Sequence, residues 1–172
     1  MSSATARYLV TRYMVSRTSI DLPADKRKKL IAMLNQQLAD TFDLYGQAKQ
    51  AHWNVKGAQF HQLHELFDEL AAQLLGYVDL IAERATALGG TALGTVRMSA
   101  GASRLKEYPL DARGSMGHVE ALAVRFAALA ATTRSAIEAA EKLNDADTAD
   151  LFTEVSRGLD KGLWFLEAHL QD

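Results

Sequence analysis

A chain of 172 residues, 48% of them hydrophobic, is ample for one packed domain and short for two. It has no cysteine and no apolar run approaching the ~20 residues that cross a bilayer, which excludes disulfides, thiolate metal sites and a helical membrane span. The net charge of −2 hides an asymmetry: residues 1–30 carry +5 and the remaining 142 carry −7. Two prolines among many alanines and leucines predict an all-α protein. Arg7, Arg12 and Arg17 interrupt the N-terminal apolar residues, so this stretch does not read as a signal peptide, and the chain is expected in the cytoplasm.

Residues 1–20 lack helical periodicity and read as a flexible basic arm, followed by a folded domain over 21–172. The basic residues there are Arg7, Arg12, Arg17, Lys26, Arg27, Lys28 and Lys29. Such a cluster can hold a polyanion such as DNA. It can equally be a solvated tail before a basic first helical turn, and Tyr8, Leu9, Tyr13 and Met14 can pack it on the body. Asp21 is expected to cap a helix that carries Pro23 in its first turn and runs to about His52, with Leu30, Met33, Leu34, Leu38, Phe42 and Tyr45 at three- and four-residue steps. Gly57 turns the chain into a second helix ending near Leu88, before Gly89-Gly90. Residues 91–113 form a long connection with a short helix over Thr95 to Ala100. A third helix runs from about Ser115 to Leu143, Asn144 to Asp147 make a turn, and a fourth ends near Leu170. Two helical hairpins joined by one long crossover match the ferritin-like variant of the four-helix bundle, though a generic bundle with a long loop has the same pattern.

The chemistry lies on the second helix. With 100° per residue and His64 as zero, Asp68 falls at about 40°, Asp79 at about 60° and Glu83 at about 100°, so all four share one stripe. The His64/Asp68 and Asp79/Glu83 pairs are centred roughly 22 Å apart along the helix, too far for one metal ion. An antiparallel copy of the helix, related by a two-fold axis near Gln73 and Leu74, would set each His/Asp pair against an Asp/Glu pair. Between them Ala71, Ala72 and Leu75 are expected to give the stripe a small apolar middle that allows close approach. His52 arrives from the first helix at the level of His64, so His52, His64 and Asp68 are expected to converge within one subunit, completed by Asp79 and Glu83 of the partner subunit. Imidazole and carboxylate without sulfur suit Fe(II), Zn or Mn. His61 is a secondary candidate, while His118 and His169 have no ligand set around them. The chain has no Glu-x-x-His motif, which speaks against an iron pair held within a single bundle.

Lys49-Gln50-Ala51-His52-Trp53-Asn54, then Gly57-Ala58 and His64-Glu65-x-x-Asp68, resemble the first signature of the Dps family, the DNA-binding proteins from starved cells. Asp79-x-x-x-Glu83-Arg84, Leu88-Gly89-Gly90, Ala92-Leu93-Gly94-Thr95, Tyr108-Pro109-Leu110, Asp147-Thr148-Ala149-Asp150 and Leu163-Trp164-Phe165-Leu166 extend the resemblance over roughly residues 25–170. The resemblance implies a homododecameric hollow shell and a ferroxidase centre at the dimer interface. There Fe2+ is oxidised, typically by hydrogen peroxide in preference to oxygen, and ferric mineral is stored in the cavity. It implies His52, His64 and Asp68 from one subunit with Asp79 and Glu83 from its mate, zinc being a possible substitute for iron. It places Trp53 beside the centre as an electron donor, a shield or simply a packed aromatic. Asp145, Asp147 and Asp150 resemble acidic positions lining a pore for iron, or are ordinary N-terminal carboxylates of the fourth helix. Non-specific DNA binding through the arm and association with the bacterial nucleoid are also implied. The alternative is a nucleoid-compacting protein whose metal site is vestigial or filled by zinc.

Overall fold

The structure is a computed structural model and describes residues 16–171. Five helices follow in order: α1 Ala24–Asn54, α2 Phe60–Ala87, α3 Val96–Ala102, α4 Gly114–Lys142 and α5 Ala146–Ala168. The described residues contain no strand. α1 pairs with α2 and α4 with α5, and the two hairpins close on each other through α1 against α4 and α2 against α5. This is the ferritin-like arrangement, with short α3 lying on α1 in the crossover. Among the described residues no helix is long and apolar enough to cross a membrane.

Two blocks of apolar side chains fill the bundle. Leu30, Leu34, Leu38, Ile81, Leu88 and Phe152 occupy one end. Leu44, Leu63, Phe67, Leu74, Phe126 and Leu159 occupy the other. Each is essentially inaccessible to water, so each contributes about 1.5–3 kcal/mol of hydrophobic stabilisation.

α1 also buries Asn35, Asp40 and Gln47, which a purely apolar stripe would not predict. Their partners explain them, because the crossover must satisfy its backbone somewhere. Asn35 donates to the Thr91 carbonyl at 3.0 Å and accepts from Leu93 N at 2.8 Å. Asp40 accepts from the Arg104 backbone and guanidinium. Gln47 donates to the Lys106 carbonyl at 3.1 Å. The long connection is thus bolted to the first helix.

The start of α1 differs from expectation. Pro23, not Asp21, stands at the N-cap, and no side chain caps the helix. The first intrahelical acceptor is the Pro23 carbonyl, which takes Arg27 N at 3.0 Å, so the helix begins after the proline. Arg27 is itself buried, donating to the carbonyls of Leu88 at 2.9 Å, Leu22 at 3.1 Å and Ser16 at 3.2 Å. Ser16 N in turn donates to the Gly89 carbonyl at 2.7 Å. Gly89 has φ +88, and a Cβ there would come within 2.5 Å of the Ser16 carbonyl oxygen, so the position demands glycine. The base of the N-terminal segment is therefore tied to the end of α2. Tyr8, Leu9, Tyr13, Met14, Arg7 and Arg12 lie outside the described residues.

Candidate metal centre

His52 sits in the last turn of α1 and His64 in the second turn of α2, on either side of a short connection in which Gly57 adopts φ +116. The hairpin lays the two imidazoles face to face, their centroids 3.7 Å apart and their planes 23° from parallel. Each is fixed by the other's backbone. His52 Nδ1 lies 2.7 Å from the His64 carbonyl oxygen, and His64 Nδ1 lies 2.9 Å from the His52 carbonyl oxygen. A carbonyl can only accept, so both Nδ1 atoms carry the proton and donate. In the neutral rings both Nε2 atoms then hold a lone pair, and among the described residues neither has a hydrogen-bond partner. This is the state in which metal-binding histidines are held, the back nitrogen anchored and the front one free. Phe60 flanks His64 with its ring 5.1 Å away.

Asp68 is one helical turn beyond His64, close enough that both imidazoles influence it. Its carboxylate is engaged elsewhere: Lys49 Nζ lies 2.5 Å from Oδ1. The hydrogen bond from Lys49 holds the Asp68 carboxyl below its ordinary range against some desolvation, helped by the charge of Lys49 and, when the imidazoles are protonated, by those of His52 and His64. Among the described residues no three His, Asp or Glu side chains converge to hold a metal within one chain. The structure thus joins His52 with His64 and leaves Asp68 paired to Lys49. Trp53 is 66% exposed, with Lys49 Nζ 5.8 Å from its ring centroid. His61 is exposed and faces Glu65 at 3.4 Å.

Asp79 and Glu83 are exposed further along α2. The buried side of that helix runs through Leu63, Phe67, Leu70, Leu74, Tyr77 and Ile81, about 150° around from the acidic stripe. All four stripe residues therefore point away from their own bundle's core. Ala72, Leu75 and Gly76 are exposed between them, leaving a small apolar middle. Ala71 does not belong to it, because at 1% exposure it lies on the core side.

The acidic trio of the α4–α5 turn separates. Asp145 is 3% exposed and caps α5, accepting from Thr148 N at 3.2 Å and from the Thr148 hydroxyl, while Arg84 Nη2 binds it at 2.7 Å. Asp147 and Asp150 stay exposed. Of the basic residues within the description, Arg17, Lys28 and Lys29 are exposed, Lys26 is half-buried and Arg27 is used up internally. Sequence reasoning missed Lys49 as a partner of Asp68. Its signal was the shared face of residues 49 and 52 on one helix. It also missed the bond between Tyr108 and His118, for which no sequence signal exists.

Comparisons with known proteins bear on the fold. Residues 31–172 match the model of the ferritin family, described as a ferritin-like domain. The chain is 46% identical over 156 residues to a DNA protection during starvation protein of Agrobacterium fabrum, covering 91% of this chain and 96% of that one. Among solved structures, DpsC from Streptomyces coelicolor superposes with a TM-score of 0.88 at 30% identity, covering 95% of this chain and 96% of that one. The DPS protein of Vibrio cholerae O1 is described as a member of a broad superfamily of ferritin-like diiron-carboxylate proteins. It superposes with a TM-score of 0.84 at 27% identity, covering 94% of this chain and all of that one.

Proposed function

The chain belongs to the Dps family of ferritin-like proteins, and on that footing we propose that it oxidises Fe(II) at centres shared between subunits, stores the ferric product in a hollow dodecamer and thereby protects DNA. The observation that carries the reading is the histidine pair, whose reciprocal Nδ1 bonds leave two Nε2 lone pairs at one level beside a carboxylate. Iron is the substrate. His52, His64 and Asp68 of one subunit would bind it, with Asp79 and Glu83 of the partner subunit supplying the remaining negative charge. These ligands are nitrogen and oxygen only, which suits iron, and a shell not filled by protein leaves room for the oxidant. Nothing in the relatives supports zinc.

Hydrogen peroxide is the proposed preferred oxidant. Two Fe(II) each give one electron, the O–O bond breaks, and with two water molecules the products are two ferric oxyhydroxide units and four protons. Both electrons reach one peroxide, so no hydroxyl radical is released. Exposed Asp147 and Asp150 are the better candidates for a pore drawing iron inward, with Asp145 shaping their turn. DNA contact, if made, falls to the N-terminal arm with Arg17, Lys28 and Lys29 beside it. Twelve such arms would multiply weak phosphate contacts through effective concentration. A protein acting this way works in the bacterial cytoplasm, at the nucleoid.

Sizing combined with anaerobic Fe(II) titration, followed by peroxide or oxygen, tests the whole reading. It requires a dodecamer, saturable Fe(II) binding and one peroxide consumed per two Fe(II). DNA condensation without stoichiometric Fe(II) oxidation would establish the nucleoid-compacting alternative instead. A monomer or dimer that binds no iron would reduce the chain to a helical interaction module.

A further inference from the structure

His61 and Glu65 take no part in the proposed centre, yet they repeat its acidic half. On the scale that sets His64 at zero, His61 falls at about 60° and Glu65 at about 100°. Asp79 and Glu83 have the same two angles, because 18 residues make five full turns of helix. The His61 and Glu65 side chains are 77% and 63% exposed, on a stripe that faces away from the bundle core. His61 Nδ1 stands 3.4 Å from Glu65 Oε2. That is longer than the roughly 2.7–3.2 Å of a good N–H···O bond. It matches two donor atoms on neighbouring corners of one metal ion, which for bonds of about 2.0–2.1 Å lie about 2.9–3.4 Å apart.

Two ligands from one helix hold a divalent ion weakly, and the two-fold axis supplies a third. An axis between Gln73 and Leu74, perpendicular to both copies of α2, keeps residues of equal angle on the same side of the interface. Glu65 precedes that axis by about 8.5 residues and Glu83 follows it by about 9.5, so the partner subunit's Glu83 stands across from Glu65, about 1.5 Å away in height. Two carboxylates set face to face repel each other unless a cation lies between them. One imidazolium answers a single carboxylate. A divalent ion answers both, and the donor set of one imidazole nitrogen and two carboxylates, without sulfur, suits Fe(II). Thr86, the other polar residue of this end of the stripe, does not compete for the Glu83 carboxylate, because its hydroxyl donates to the Glu83 carbonyl at 2.8 Å.

We propose that His61 and Glu65 of one subunit, with the partner subunit's Glu83, form a second divalent-cation site, a staging position for Fe(II) one helical turn from His64 towards the start of α2. The inference rests on the shared-centre reading. Glu83 belongs to both sites, so an ion held at His61 moves inward by exchange of ligands around one carboxylate, with no change of oxidation state. The staged ion is the second Fe(II) that peroxide needs if both its electrons are to arrive together.

Co(II) is the probe, because its visible absorption reports the ligands around it. The assembled full-length protein is titrated with Co(II) anaerobically, by calorimetry and absorption. The unsubstituted protein is expected to bind one more Co(II) per subunit than His61→Ala or Glu65→Gln, both substitutions at exposed positions. A variant carrying His52→Ala and Asp68→Ala is expected to keep that additional ion. Anomalous scattering from Co(II)-soaked crystals of the unsubstituted protein is expected to place it among His61, Glu65 and the partner subunit's Glu83. With Fe(II) below saturation, His61→Ala is expected to oxidise it several-fold more slowly. The proposal is overturned by an equal Co(II) count in His61→Ala, by an ion whose protein ligands come from one subunit alone, or by loss of the ion with no change in rate. Each of these leaves the shared centre standing. A Co(II) count that neither the His52 and Asp68 substitutions nor His61→Ala alters overturns both.

Discussion

Lys49 Nζ stands 2.5 Å from Asp68 Oδ1, so the carboxylate beside the two imidazoles is already neutralised by an ammonium. In the proposed centre, iron at His52 and His64 competes with that lysine for Asp68. The exchange is easy, because Asp68 is more than half exposed and exposed ion pairs are weak. Lys49→Met is therefore predicted to tighten Fe(II) binding a few-fold in anaerobic calorimetry, with the gap narrowing as salt screens the pair. Weaker binding in the variant would mean that Lys49 assists the centre and does not compete with iron.

Because the stripe of α2 faces away from its own core, the proposed centre is divided between two chains. One variant lacking His52 and Asp68, and another lacking Asp79 and Glu83, should each assemble without oxidising Fe(II). Mixed and reassembled, they form heterodimers in which one of the two symmetry-related centres is intact. Random pairing then restores about a quarter of the centres, by the isologous symmetry of a two-fold interface. No recovery in mixed shells, despite proven mixing by mass spectrometry, would rule out the shared centre.

Hydrophobic steps of three and four gave the helices to within a few residues, because burial against the partner hairpin follows that period directly. The start of α1 was misjudged because Asp21 is a good capping residue by type, while Pro23 and the Arg27 anchorage set the real boundary. Ala71 was placed on the stripe because helix angles alone cannot locate the edge of the core. Asp145 reads as a pore acid or as a cap with equal ease until Arg84 and Thr148 are seen around it. His52 and His64 were legible because one tight hairpin brings them together. Tyr108 and His118 were not, because their contact depends on how the crossover sits on α1 and α4.

His118 gives the fold a pH dependence whose sign is fixed. Burial, offset by the Asn54 backbone and aided by Arg113, pulls the imidazole below its ordinary 6.5. The unfolded chain takes up a proton as pH falls through 6.5, while the folded chain resists until lower pH. Below 6.5 the unfolded state binds more protons, so stability falls on acidification through the window beneath that value and is unaffected well above it. Thermal unfolding across this range should show the decline, and His118→Gln should flatten it. An equal slope in the variant would place the acid sensitivity elsewhere.

Gly158 on α5 makes room for Tyr77 of α2. A Cβ there would sit 1.8 Å from the Tyr77 hydroxyl and 3.0 Å from Gln73 Nε2, and Tyr77 is 8% exposed with little space to retreat. Gly158→Ala is predicted to cost about 1–3 kcal/mol, the usual range for overpacking. Adding Tyr77→Phe removes the nearest atom and should recover part of the loss in denaturant unfolding. If the double variant is no better than the single, the clash is not the cause.

The N-terminal segment can be divided at Ser16, whose amide is bonded to Gly89 and whose carbonyl receives Arg27. Deleting residues 2–15 removes Arg7 and Arg12 but leaves that anchorage intact, so assembly and Fe(II) oxidation should survive. DNA retardation in a gel should be lost, and in the full-length protein it should fall steeply with salt and not depend on sequence, as phosphate contacts do. Retardation that persists after the deletion would shift binding to the exposed Arg17, Lys28 and Lys29 at the head of α1. Arg27 cannot share in it, since its guanidinium is already committed to the carbonyls of Leu22, Leu88 and Ser16. Arg27→Ala should therefore lower stability, by leaving those buried acceptors unpaired, without changing the salt dependence of DNA binding.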